Sequence, residues 1–171
     1  TLTGGIVIDT DTGAGTVAFN STLDSDAVST PRTLEITAGT GNIDFDQAVG
    51  DTAALGAVTI NSVDVLTADD LFKVASFLQT GAVATTGLTR FLGTVTLSGN
   101  FDFTGTRLQL HGASNTVGGT MDVTTSGGFM TDDNTDLTVT GQFTQDGQSH
   151  STIGADITSV NAGISFAKNL T

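Results

Sequence analysis

No cysteine occurs anywhere in the 171 residues. That excludes disulfide staples, thiolate catalysis and cysteine-ligated zinc or iron–sulfur sites. Histidine is nearly as scarce, since His111 and His150 alone leave little for acid–base or metal chemistry. Tryptophan and tyrosine are absent, and Pro31 is the one proline. Positive charge is short as well: five Lys and Arg stand against 18 Asp and Glu, a formal net charge of −13 at pH 7. A duplex-binding surface needs cations to displace counterions from phosphates, so nucleic acid is a disfavoured partner. The same sign argues against adhesion to anionic lipid. No apolar run approaches the ~18 residues of a membrane-spanning helix. The N-terminal residues show no basic stretch followed by an apolar one, so any export signal is expected outside this chain.

What is present has a particular character. Seventeen of the 18 acids are Asp and only Glu35 is Glu, while Thr occurs 33 times and Gly 22 times. Glu, Lys and Gln build helix surfaces; Asp, Gly and Thr build turns and strands. The composition therefore predicts an all-β protein. A mean hydropathy of +0.15 with 37% apolar residues argues against disorder, which requires low hydrophobicity as well as net charge.

Short alternating segments recur along the chain, punctuated by Gly, Asn and Asp. They include Gly5–Ile8, Thr16–Phe19, Thr33–Ile36, Asn42–Phe45, Ala57–Ile60 and Thr94–Leu97. Phe101–Phe103, Arg107–Leu110, Met121–Val123, Asp136–Val139 and Ile164–Phe166 continue the series. Each places apolar residues at i and i+2, the period of a strand with one buried face. The segments also repeat. Gly15–Leu23 aligns with Gly41–Val49 at a spacing of 26 residues, and Gly93-Thr-Val95-Thr-Leu97 falls at twice that spacing beyond Gly41. Ile164-Ser-Phe166 repeats the apolar frame near the C-terminus. A period of 20–30 residues made of very short strands is what a β-solenoid needs, each coil adding one layer. Roughly 6–7 coils are expected, stacked into a rod on the order of 30 Å long. A β-sandwich is the alternative all-β arrangement.

Such a coil accounts for the composition. Inward Val, Ile, Leu and Phe stack on their equivalents in neighbouring coils, outward Thr suits a solvated sheet, and Gly, Asn and Asp turn the corners. Phe19, Phe45 and Phe166 recur in the frame and are expected to stack in the core. One stretch departs from it. Thr67–Gln79 has a capping Thr, acids in the next turn and apolar residues at 71, 74, 75 and 78, which suits a short helix near 68–79. Phe72, Val74 and Phe77 suit a strand of another coil equally well. Neither end of the chain shows a polar capping coil, so residues 1–171 are expected to be a single solenoid segment. That segment would be one unit of a longer array, or a subunit stacking end to end on its own kind.

Thr33–Ile60, with Leu2–Asp9, Gly93–Gly99 and Gly119–Thr125, resembles the repeats of very large bacterial surface proteins of the filamentous-haemagglutinin and autotransporter-adhesin type. The resemblance lies in repeat style and covers most of the chain. It implies a right-handed parallel β-helix, an extracellular or cell-surface location, and a role in adhesion, matrix or surface-fibre structure.

Chemistry finds thinner support. Asp9 and Asp11, and Asp132, Asp133 and Asp136, put hard oxygens on turns as calcium requires, but neither set completes a known calcium loop. No cofactor is expected, with calcium the one ion worth testing. Asp44/Asp46, Asp69/Asp70 and Asp132/Asp133 are available as carboxylate pairs, and the same pattern describes any solvated strand face. Ser149-His150-Ser151 sets Ser beside His, which is not a triad. No phosphate-cradling glycine motif occurs. A structural, non-catalytic role is therefore expected. The alternative, a glycan- or protein-binding face, requires exposed aromatics or arginines, which Phe101/Phe103 or Arg90/Arg107 would supply.

Overall fold

The alternating segments all become strands of a β-solenoid of about seven coils, seen in a computed structural model that describes residues 1–10, 14–81 and 87–171. In chain order the strands are β1 (Ile6–Asp9), β2 (Val17–Phe19), β3 (Leu34–Thr37), β4 (Ile43–Phe45), β5 (Leu55–Ser62) and β6 (Val65–Ala68). Next come β7 (Phe72–Gln79), β8 (Leu88–Phe91), β9 (Val95–Leu97), β10 (Phe101–Leu110), β11 (Ser114–Val117) and β12 (Met121–Thr131). The last are β13 (Asp136–Val139), β14 (Phe143–Gln145), β15 (Thr152–Ile153), β16 (Ile157–Ser159) and β17 (Ile164–Phe166). Among the described residues every pairing between strands is parallel and none is helical.

The pairings define three faces. On the first, the inward residues in register are Ile6, Leu34, Val58, Phe77, Phe101, Met121, Phe143 and Ile164. The second runs Val17, Ile43, Leu66, Thr89, Leu108 and Phe129. The third begins with single bridges from Leu23 to Val49 and Val49 to Phe72, and continues through Val95, Asn115, Leu137 and Ile157. Every coil thus hands its backbone N–H and C=O groups to the coils before and after it, which is how a chain of such short strands satisfies them.

The alignment of Gly15–Leu23 with Gly41–Val49 is the observed register: Val17 pairs with Ile43, Phe19 with Phe45 and Leu23 with Val49. The two later members of that repeat lie elsewhere. Val95–Leu97 belongs to the third face and Ile164–Phe166 to the first. Two coils beyond Ile43 stands Thr89, 46 residues on rather than 52. The reason is that the coils shorten along the chain. Ile6 to Leu34 takes 28 residues, whereas Phe101 to Met121 takes 20 and Met121 to Phe143 takes 22.

The short-helix reading of 68–79 is overturned in favour of the strand reading. Phe72–Val74 pairs with Val95–Leu97, and Phe77–Gln79 lies between β5 and β10. Phe72, Val74, Phe77 and Gln79 are buried, but Leu78, which a helix would have turned inward, is exposed. A helix here would bond to itself and leave the neighbouring coils without partners for their ladders.

Phenylalanine fills the centre. Phe19 stacks on Phe45 with ring centroids 4.9 Å apart, and contacts continue through Phe72, Phe91, Phe77 and Phe101. A second group links Phe129, Phe143 and Phe166. Each fully buried Phe contributes about 1.5–3 kcal/mol by leaving water, and each ring pair about 0.5–1.5 kcal/mol more. At that worth these rings are core, as expected of Phe19, Phe45 and Phe166.

Corners repeat too. Leu97-Ser-Gly99-Asn-Phe101, Val117-Gly-Gly119-Thr-Met121 and Val139-Thr-Gly141-Gln-Phe143 turn from the third face to the first in consecutive coils. Their glycines stack, with Gly119 N–H donating to Gly99 O and Gly141 N–H to Gly119 O. A different corner imposes the strictest demand: Gly50 has φ 75°, and a Cβ there would lie 2.0 Å from Lys73 O.

Candidate functional surface

Several inward positions carry polar side chains, and these are the first departures from a plain apolar column. Gln79 and Gln145 occupy the inner row of the first face that also holds Ile36, Ile60, Phe103 and Val123. The buried hydroxyl of Thr89 donates to Gln79 Oε1 at 2.8 Å, while Gln79 Nε2 has no partner among the described residues. Three coils later, Gln145 Nε2 donates to Thr125 Oγ1 at 3.2 Å, and Gln145 Oε1 has none. Asn115 is fully used: its Oδ1 accepts from Val95 N–H at 2.9 Å and its Nδ2 donates to Gly112 O at 2.7 Å. These groups hold backbone and corners. Buried as they are, they offer nothing to a ligand.

Outward chemistry concentrates on the second face. Asp44, half-buried, has its carboxyl pushed above the usual value, chiefly by burial and then by Asp46 and Asp69; Arg90 pulls it partly back. Arg90 itself donates through Nε to Thr67 Oγ1 at 3.3 Å. Asp69 and Asp70 sit on an exposed corner, where Asp70 Oδ1 accepts from Leu71 N–H. On the first face Asp102 is likewise raised, by burial first and then by Asp122, its in-register neighbour in the next coil.

Of the calcium candidates, Asp11 lies outside the described residues, and Asp9 is the exposed last residue of β1. Asp132 is engaged by His111, whose Nδ1 lies 2.5 Å from Asp132 Oδ2. Asp132 and Asp133 line an open depression with Asn134, Met130, Thr152 and Gly154, whereas Asp136 starts β13 on the third face and is not part of it. Among the described residues no three acidic or histidine side chains gather closely enough to hold a metal ion.

Phe101 and Phe103 are 0% and 2% exposed, so neither presents an aromatic surface. Arg107 is exposed. It pairs in register with Gly128, and His150 follows in the next coil, its carbonyl only 2.8 Å from where a Gly128 Cβ would stand. Arg107, Gly127, Gly128 and His150 line a notch of about 180 Å³ together with Gln109, Met130 and Thr152. Ser149-His150-Ser151 makes no triad, because Ser151 is wholly buried while His150 is exposed. The notch escaped the sequence reading because its members lie 21 and 22 residues apart. Only a coil register makes them neighbours; the Gly127-Gly128 pair was the local signal.

Compared with protein-family models, curated proteins and solved structures, the chain matches none of them.

Proposed function

We propose that this solenoid is a structural, non-catalytic repeat unit of an extracellular bacterial fibre or giant surface adhesin of the filamentous-haemagglutinin and autotransporter-adhesin type. The observation that carries the reading is the one-dimensional build: three faces of in-register parallel ladders around a continuous apolar column. Each coil contacts mainly its neighbours, so length is added without redesigning a core. Seven coils at ~4.8 Å per layer span about 34 Å. A surface rich in Thr and Asp, at −13 overall, keeps parallel rods apart and soluble.

The outermost coils expose apolar members of the same inward frame, Ile6 at one end and Ile164 and Leu170 at the other. Units of like frame, stacked end to end, are the proposed principal partner.

Electron microscopy of the native polypeptide on its producing cells tests the reading. Thin rods or fibres extending from the cell surface, with a 4.8 Å axial spacing in diffraction, are expected. Compact isolated particles, or material confined to the cell interior, would overturn it.

A further inference from the structure

We infer that the notch of Arg107, Gly128 and His150, with the acidic depression that adjoins it, binds an acidic saccharide. The saccharide's carboxylate sits between Arg107 and His150, and its hydroxyls lie along Gln109, Thr152 and Asp133. This goes beyond a structural role and gives the rod a recognition surface.

The first ground is charge. In a chain of −13, Arg32 pairs with Asp26 at 2.6 Å, but among the described residues Arg107 forms no ion pair. Its guanidinium stands exposed on the rim of a concavity. The second ground is shape. Gly128 has φ 113°, a backbone that L side chains rarely adopt, and a Cβ there would also crowd His150 O. Backbone therefore packs on backbone at Gly128, and at the exposed Gly127 a Cβ would lie 2.8 Å from Arg107 Cγ, so the arginine stem lies across bare backbone of the next coil, on the same notch that His150 lines. A planar carboxylate suits a guanidinium fork on one side and a ring N–H on the other.

The third ground is what lies next to the notch. The larger depression shares Met130 and Thr152 with it and adds Asp132, Asp133 and Asn134. Carboxylate and amide oxygens accept from hydroxyls, Met130 supplies an apolar floor, and Thr152 and Gln109 both donate and accept. A neutral sugar would leave the guanidinium without a counter-charge. A polyanion would meet Asp132 and Asp133 at like charge. A ring bearing one carboxylate and several hydroxyls matches both ends.

The test is an amide NMR titration of isotope-labelled protein with D-galacturonate, with D-galactose and with an acetyl-Glu-Gly-Glu-amide peptide. Saturable shifts are expected with galacturonate at the amides of Gly127, Gly128, His150 and Thr152 and at Arg107 Nε–H. Galactose should give none. Arg107→Gln should weaken the galacturonate response at least ten-fold while the rest of the spectrum stays in place, because Arg107 is exposed. Absence of saturable shifts up to ~50 mM, where a site of about 1 mM affinity is nearly saturated, would overturn the inference. So would equal shifts with galactose, or an undiminished response in Arg107→Gln. Tighter binding of the peptide than of galacturonate would overturn the saccharide assignment in favour of a protein ligand.

Discussion

Replacing Thr89 by Val isolates the buried polar pair at the corner between the first and second faces. The two side chains have nearly the same shape, so packing is kept and only the hydroxyl is lost. Among the described residues that hydroxyl is the one partner of the Gln79 amide: it donates to Oε1 at 2.8 Å, and Nε2 has none. Both residues are sealed, Gln79 at 1% and Thr89 at 0% exposure. Thr89→Val therefore strands the whole carboxamide between Ile60 and Phe103, and a stranded buried polar group costs about 1–3 kcal/mol. Adding Gln79→Leu removes every polar atom of the pair and places a side chain of similar length in an apolar row. Exchanging both partners for apolar groups is close to neutral or stabilising, so the double variant should return to the parent's stability or exceed it. Urea unfolding followed by far-UV circular dichroism measures the midpoints at a common slope. A Thr89→Val midpoint within error of the parent, or a double variant no more stable than Thr89→Val, would refute the reasoning.

Four further outcomes follow from the same packing. Asp44 and Asp102 hold protons more tightly folded than unfolded, so just above the ordinary value of 3.8 the native state binds more protons and stability falls as pH rises. Asp102→Asn should therefore raise the urea midpoint at pH 7 and flatten its dependence through that window; a lower midpoint at pH 7 would contradict the burial argument. Asp26 runs the other way, its carboxyl lowered first by the hydrogen bond from Arg32, and its share of stability is lost as pH drops below the ordinary value. Asn115→Leu, though apolar among apolar neighbours, should cost about 1–3 kcal/mol by stranding Val95 N–H and Gly112 O, measurable as a lowered midpoint. Gly50→Ala meets both a positive φ and the Lys73 carbonyl, and should lower soluble yield and thermal midpoint far more than Gly4→Ala, where a Cβ meets nothing.

The architecture was readable because a solenoid writes its core locally. Each coil must place small alternating triplets inward, and Ile43-Asp-Phe45 or Val95-Thr-Leu97 declares its burial without reference to any distant residue. Of the strands outside the alternating series, β8, β11 and β14 carry a polar residue inward, whereas β6 turns Leu66 and Ala68 inward. β11 turns Asn115 inward and β14 turns Gln145 inward, and a polar residue there erases the period that marks a strand. The phase of the repeat was misread for a related reason. One apolar frame serves all three faces, so Val95–Leu97 and Ile43–Phe45 look alike although they never stack. The corners carry the better signal, because a corner has a particular shape and a face does not: Leu97–Phe101, Val117–Met121 and Val139–Phe143 share a glycine at the same offset.

The candidate surface was less legible, and the fold itself explains why. In a solenoid a site is assembled across coils, one residue from each layer, at spacings set by coil lengths that here vary between 28 and 19 residues. Arg107, Gly128 and His150 become a row only once that register is known, and no local motif announces them. His111 and Asp132 became partners in the same way, 21 residues apart in sequence and in contact across adjacent coils. Residues neighbouring in sequence conversely separate: Asp133 faces the second-face depression while Asp136 has already turned the corner to the third. Carboxylate pairs chosen for sequence proximity are thus poor guides to chemistry on this scaffold. A search by coil period, asking which exposed charged residues recur one layer apart beside a glycine, is the reading that the architecture rewards, and it leads to the Arg107 notch.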